Sequence, residues 1–270
     1  MNLIRPAAVA GVFYPGAAQE LAREVAGLLA AARREPAAQA VPKAIVVPHA
    51  GYIYSGPVAA SVYARLAPAR TQIRRVVLLG PTHRVAVRGL ALPAATGFAT
   101  PLGVVEIDRP AVAALSGMPQ VTESAAAHAL EHSLEVQLPF LQTVFEQFTL
   151  LPLAVGDASP EEVAQVLDRL WGGPETLIVV SSDLSHYLAY RNAQDADRTT
   201  ADAILSLSTD IGHDQACGAT PLTGLMLAAR RRGLRPSLID LRNSGDTAGD
   251  TSRVVGYGAF AFFEDAGHAH

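Results

Sequence analysis

Residues 44–52 read Ala44-Ile45-Val46-Val47-Pro48-His49-Ala50-Gly51-Tyr52. Four apolar residues, three of them β-branched, run without an alternating polar partner, which is the pattern of a strand covered on both faces. A histidine then follows at once. The arrangement recurs twice. Val76-Val77-Leu78-Leu79 runs into Gly80-Pro81-Thr82-His83, and Ile178-Val179-Val180 runs into Ser181-Ser182-Asp183-Leu184-Ser185-His186. In open α/β sheets ligands bind outside the carboxyl ends of the strands. If the three strands are parallel neighbours, His49, His83, His186 and Asp183 converge on one crevice. Any one of these histidines alone is more often a loop or packed core residue; their recurrence favours a shared site.

The rest of the chain alternates strands with helices. A helix is expected over Ala17–Arg34, where Leu21, Val25, Leu28 and Leu29 share a face. Pro57 suits the first turn of a helix reaching Leu66. Strands are expected at Ala44–Val47, Arg75–Leu79, Thr149–Val155, Leu177–Val180, Ser237–Leu241 and Val254–Phe263. Leu90–Pro93 and Val104–Ile107 flank a turn-rich stretch and read as a hairpin or two edge strands. Leu130–Gln147 has a helical pattern, with Pro139 kinking it or ending its first half. Ser159-Pro160 followed by two glutamates marks another helix start. Further helices are expected at about Asn192–Leu207 and Gly218–Arg232. Such alternation predicts one α/β domain over residues 1–270, a three-layer α/β/α sandwich around a central mixed, largely parallel sheet.

Composition narrows the function classes. Half of the 270 residues are hydrophobic and 17% are charged, enough apolar material for a core and too little charge for disorder. The net charge is −4, and the longest basic cluster, Arg230–Arg232, closes a predicted helix, where the helix dipole accounts for it. No nucleic-acid partner is expected. No apolar stretch approaches the ~18 residues of a membrane span, so no membrane partner is expected either. Residues 1–16 lack the charged start and apolar run of a signal peptide. The tail Gly267–His270 reads as a frayed end. With one cysteine the chain can form no internal disulfide, which fits a reducing cytoplasm.

That cysteine, Cys217, stands in Ala216-Cys217-Gly218-Ala219-Thr220-Pro221, before a predicted helix. A helix start favours thiolate, so a lowered thiol pKa is expected, and a thiolate can ligate metal or act as a nucleophile. The alternative is an inert buried cysteine. His132 lies in Glu131-His132-Ser133-Leu134-Glu135. Glu131 and Glu135, one helical turn apart, could share a face, and His132 reads either as a donor or base at the site or as a locally satisfied residue. His128 and His213 have no supporting context and are expected at the surface. Ser181 and Ser182 lack the glycine-flanked elbow of a hydrolase nucleophile.

In chain order, Gly11–Gly16 (GVFYPG), Pro48–Tyr52 (PHAGY), Gly80–His83 (GPTH), Glu131–Pro139 (EHSLEVQLP), Ser181–His186 (SSDLSH) and Cys217-Gly218 resemble the motifs of the Memo-like family, whose prokaryotic members are called AmmeMemoRadiSam system protein B. The resemblance spans about Ala7 to Phe262. It implies a fold similar to the class III, LigB-type extradiol dioxygenases, which hold iron with two histidines and a glutamate. It implies metal ligands at His49, His83 and Cys217, with Cys217 in place of the carboxylate, and iron or copper as the metal. Asp183 and His186 match the other polar positions of the family's pocket. The prokaryotic name implies association with a radical-SAM protein and an Ammecr-type domain protein. A thiolate in place of the carboxylate departs from the facial triad of non-haem Fe(II) oxygenases.

Three functions are therefore weighed. The first is a metal-dependent oxidoreductase. His49, His83 and Cys217 would hold the metal, and Asp183, His186 or His132 would exchange protons with a bound small molecule. The second is a non-enzymatic module that binds a peptide or protein in a relic dioxygenase cleft, with Tyr52, Tyr54 and Tyr187 as contact area. The third is hydrolysis at zinc, for which the sequence offers no substrate signal.

Overall fold

Strand β2 (Ala44–Val47) is buried at every residue, as an all-apolar strand must be. It lies near the middle of the main sheet of a computed structural model that describes residues 3–32, 40–247 and 249–264. The tail Gly267–His270 and the end of the predicted first helix, Arg33 and Arg34, lie outside the described residues. In chain order the first half comprises β1 (Ile4–Arg5), α1 (Ala18–Ala32), β2, α2 (Tyr52–Tyr63), β3 (Arg75–Pro81), β4 (Leu90–Leu92), β5 (Gly97–Thr100), β6 (Gly103–Glu106), α3 (Arg109–Ala114), β7 (Val121–Glu123), α4 (Ala125–Ala129) and α5 (Leu138–Val144). The second half adds β8 (Thr149–Val155), α6 (Pro160–Leu170), β9 (Thr176–Ser181), β10 (His186–Leu188), α7 (Tyr190–Leu205), α8 (Ala219–Arg231), β11 (Arg235–Asn243), α9 (Ser244–Thr247) and β12 (Val254–Phe263).

The main sheet runs β10-β12-β2-β9-β3-β8-β4-β7, with β11 also pairing β12. The inner strands β2, β9, β3 and β8 are mutually parallel. Strand β12 is antiparallel to β2, and β4 is antiparallel to β8. The sheet is thus mixed with a parallel centre. Side chains alternate between its faces: Ile45 and Val47 join one hydrophobic cluster with α1, α2 and α5, whereas Ala44 and Val46 join the other with α6, α7 and α8. Helix α6 begins at a complete capping box, Ser159 and Glu162 satisfying each other's backbone N–H groups.

Three expectations from the sequence require correction. The helix expected over Leu130–Gln147 is broken. A loop spans 130–134, a single 3-10 turn covers Glu135–Gln137, and α5 starts only at Leu138. The Glu131 carboxylate accepts from the Ser133 and His83 amides, so local side-chain bonds replace helical ones. Pro139 sits in the first turn of α5, where its missing N–H costs nothing. Consequently Glu131 and Glu135 do not share a helix face. Helix α2 starts at Tyr52, five residues before Pro57, and the carbonyl that Pro57 leaves unpaired belongs to the exposed Ile53. Finally, Val104–Ile107 does enter a hairpin, as β6, but its partner is β5 within the turn-rich stretch and not Leu90–Pro93; with β1 the hairpin makes a separate three-stranded sheet, while Leu90–Leu92 pairs with β8 and β7 in the main one. The turn-like composition around Gly97 masks β5 in the sequence.

Candidate functional site

Strands β2, β9 and β3 are consecutive in the sheet and parallel, so their carboxyl ends share one edge. His49 lies two residues beyond β2, His83 two beyond β3, and Asp183 two beyond β9. The condition set by the sequence, parallel neighbours, is met. His49 and His83 rings approach edge to face with centroids 5.2 Å apart. Cys217 arrives from the loop before α8, its Sγ 3.2 Å from His49 Nε2. The donor atoms of His49, His83 and Cys217 all lie within 4.8 Å of one another, close enough to hold a single ion.

Two glycines permit these approaches. A Cβ on Gly80 would stand 2.7 Å from Ser133 Oγ, so only glycine there lets the 130–134 loop close over the end of β3. A Cβ on Gly218 would stand 2.7 Å from Ser182 Cβ and 2.9 Å from the Ser181 carbonyl oxygen, so glycine also draws Cys217 against β9. The Asp183 amide then donates to Cys217 Sγ at 3.3 Å, and the Cys217 amide donates back to the Asp183 carbonyl at 3.3 Å.

Each ligand candidate is supported from behind. The Glu131 carboxylate lies 2.9 Å from His83 Nδ1 and accepts from the His83 amide at 2.7 Å. His49 Nδ1 lies 3.0 Å from Ser181 Oγ, and the His49 amide donates to Asp183 Oδ1 at 2.7 Å. Burial would raise the Glu131 carboxyl, but bonds from the His83 ring and from the Ser133 and His83 amides hold it down at about 2. Burial, and then the field of His83, holds the His49 imidazole at about 3. Asp183 is raised by burial against the opposing His49 amide bond. Cys217 departs from its expectation. Burial, reinforced by the charge of Asp183, pushes its thiol up to about 12. Desolvation outweighs the helix start, and without a cation the group is a thiol.

His132 is closer to the site than a helix-surface residue could be. Its ring centroid is 4.6 Å from that of His83 and 5.5 Å from that of His49, and Phe13 packs on it at 4.8 Å. Burial, then the fields of His49 and His83, lowers it to about 4, so it is neutral at pH 7. A second set of close donors joins His83, Glu131 and His132. In front lies a pocket of about 450 Å³ lined by His132, Asp183, His186, Phe13, Tyr54, Tyr187, Arg253 and Tyr257, among others. His186 is exposed on this pocket, with Nδ1–H donating to the Leu184 carbonyl at 2.8 Å. Beside it Tyr187 adopts φ 60, a left-handed conformation unfavourable to an aromatic residue.

Two further expectations fail. Tyr52 is buried, with its hydroxyl donating to the Val136 carbonyl, and offers no contact area. His128 is buried under the hairpin sheet, against Phe98, and donates from Nε2 to the Ala91 carbonyl; His213 is exposed as expected. Phe13, Gln137, Arg253 and Tyr257, and Glu131 as the partner of His83, carry roles at the site that the sequence does not assign; Phe13, Glu131 and Gln137 are signalled there only by their places in the Gly11–Gly16 and Glu131–Pro139 motifs.

A mixed α/β sheet with two imidazoles and a thiol gathered at the ends of its parallel strands defines the class of protein. The family model described as Memo-like protein matches residues 5–261. A MEMO1 family protein of Aquifex aeolicus is 39% identical, covering 94% of this chain and 97% of its own length. MEMO1 family proteins of Methanosarcina acetivorans and Nitrosopumilus maritimus are 37% and 33% identical over 95% and 96% of this chain. The chain belongs to the Memo-like family. In fold it is similar to the uncharacterized protein JW3007 from Escherichia coli K12, at a TM-score of 0.51 and 14% identity over 80% of this chain and 99% of that one. Among the described residues no helix is long and apolar enough to cross a membrane.

Proposed function

We propose that this Memo-like protein is a metal-dependent oxidoreductase that holds iron or copper with His49, His83 and Cys217. The convergence of these three donors within 4.8 Å carries the reading. The set fits such an ion: thiolate favours Cu(I), Zn or iron, imidazole suits all three, and three protein ligands leave a position open for substrate. When bound, the ion would supply electron transfer and polarisation of a ligand. The protein's own part is to bind and orient a small molecule in the pocket before the donors and to exclude water through Phe13 and Tyr257. His186 Nε2, His132 and the Asp183 carboxyl are the groups available to accept or give protons there. Radical-SAM and Ammecr-type proteins are proposed as its associates, in a reducing cytoplasm that keeps Cys217 free.

A second reading has one specific observation in its favour. Val12, Ile53, Tyr54, Leu130, Tyr187 and Leu188 are exposed large apolar residues on segments that frame the pocket. Apolar surface around a cleft is the mark of a peptide or protein site, and a relic cleft used only for binding would need no metal.

Elemental analysis after chelator-free purification, with anaerobic thermal melts in Fe(II), Cu(I) and Zn(II), separates the two. The wild type is expected to gain about 3 kcal/mol of stability when the metal is at a hundredfold excess over its dissociation constant. His49→Ala and His83→Ala should lose that gain, and Cys217→Ser should lose Cu(I) binding most. A wild type stabilised by none of the three metals would leave the binding module.

A further inference from the structure

A histidine can ligate a metal only through a ring nitrogen that carries no proton, and the hydrogen bond made by the other nitrogen decides which one that is. Around His49 that bond can be traced back through a buried chain of donors. Tyr63 Oη donates to Gln137 Oε1 at 3.0 Å. This fixes the Gln137 amide, whose Nε2 donates to the Pro48 carbonyl at 2.9 Å and to Ser181 Oγ at 2.8 Å. The Ser181 hydroxyl has one proton, and it goes to the Ser133 carbonyl at 2.6 Å. Two oxygens cannot approach so closely with no proton between them. Ser181 Oγ therefore has only a lone pair left for His49 Nδ1, 3.0 Å away, and the proton in that contact must come from the ring. His49 is an Nδ1–H tautomer, and its bare Nε2 points at Cys217 Sγ.

His83 reaches the same state by a different route. Its Nδ1 faces the Glu131 carboxylate, an acceptor with no proton to give, so the ring proton again sits on Nδ1. The chain of Tyr63, Gln137, Ser181 and Ser133 is buried throughout, so water cannot substitute for the partners of His49, and the Glu131 carboxylate that faces His83 is buried as well.

We propose that Ser181, locked by Gln137 and Ser133, and Glu131 are positioning residues that fix both imidazoles as Nδ1–H tautomers in the metal-free protein, so that both Nε2 lone pairs face the ion position before an ion arrives. The inference deepens the metal-site reading and rests on it for its purpose. Free histidine favours the opposite, Nε2–H form, and the protein thus removes a rearrangement that binding would otherwise require. The two routes are independent: a hydroxyl committed elsewhere serves His49, and a carboxylate serves His83.

The test is a two-bond 1H–15N correlation spectrum of the metal-free, 15N-histidine-labelled full chain near neutral pH, which reports directly which ring nitrogen is protonated. His49 and His83 are expected as Nδ1–H. Ser181→Ala should shift His49 toward Nε2–H and leave His83 unchanged. It should also weaken Zn(II) binding, read by competition with a chelator, about 10–100-fold. Ser181→Thr, which keeps the hydroxyl, should restore both. Loss of packing alone would not invert a tautomer ratio at one ring while sparing its neighbour. An Nε2–H His49 in the wild type overturns the proposal, and so does a Ser181→Ala ratio equal to the wild type's. If Ser181→Ala does not fold, the wild-type spectrum still decides. Nδ1–H tautomers in a wild type that binds no metal would instead sink the metal reading.

Discussion

Glu131 grips His83 twice, its Oε1 lying 2.9 Å from the ring Nδ1 and its Oε2 accepting the His83 backbone amide at 2.7 Å. One carboxylate thereby fixes both the loop after β3 and the ring on it. It also accepts the Ser133 amide, so Glu131→Ala would leave three N–H groups without their acceptor. Each buried donor left unpaired costs roughly 1–3 kcal/mol. Because the His83 side chain is partly exposed, a total loss of about 3 kcal/mol is expected, read as a lower urea midpoint with an unchanged slope. A midpoint equal to the wild type's would mean that the loop is held by other contacts.

Glu135, four residues on, looks the other way. It is fully buried and binds the N-terminal segment through the Arg5 guanidinium, the Ala8 and Val9 amides and the Tyr14 hydroxyl. Breaking a buried ion pair by removing one partner costs about 3–5 kcal/mol. Arg5→Met is expected to fall in that range by chemical denaturation. Glu135→Gln should do the same, and the double variant should cost less than the sum of the two. Strict additivity would show that the charges do not interact.

Cys217 should resist alkylation in the metal-free protein. The thiolate is the reactive form, and burial holds the thiol at about 12, so little is present at pH 8. Iodoacetamide rates measured against pH are expected to be low at pH 8 and to keep climbing above ~8.5, where a free thiol levels off. A plateau near that value would contradict the desolvation argument.

His128 should make the protein acid-sensitive. Burial, with the charge of Arg5 adding to it, lowers its imidazole to about 4 despite the bond to the Ala91 carbonyl. The unfolded chain protonates near 6.5 and the folded chain only near 4, so stability is full above 6.5 and falls as the pH drops toward 4. The shift corresponds to a contribution on the order of 3 kcal/mol. His128→Gln can keep a donor to Ala91 but does not titrate. Its denaturation midpoint should depend less on pH between 7 and 4 than that of the wild type; equal slopes would acquit His128.

Acid should also weaken the region around Asp108, at the start of α3. Burial raises this carboxyl, but Arg75, the Ala111 amide and the Thr149 hydroxyl outweigh burial and leave it lowered. A lowered carboxyl adds stability above the unfolded value of ~3.9 that is lost as the pH falls through the folded value. Asp108→Asn is expected to remove that part of the acid dependence, and Asp108→Ala to cost a further ~1 kcal/mol through the lost cap on Ala111. Hydrogen exchange at the Ala111 amide reads the second effect directly.

The sequence by itself determined the strands of the parallel centre, the helices covering them, and the places where histidines follow strand ends. Those features are local: a run such as Ile178–Val180 is apolar because both sheet faces are covered, and the polar residues begin where the cover stops. The family was legible for the same reason, since its motifs are contiguous stretches. Only the tertiary structure decided that β2, β9 and β3 are neighbours, because strand order is set by pairings between distant segments. It also decided that residues 130–137 leave the helical path their periodicity suggests. There the bonds of Glu131 to His83 and of Ser133 to Pro81 compete with helical ones. The thiol of Cys217 shows the limit most plainly. Its place before a helix predicts an easily lost proton, while its burial against His49 and Asp183, which no local pattern records, makes that proton hard to remove.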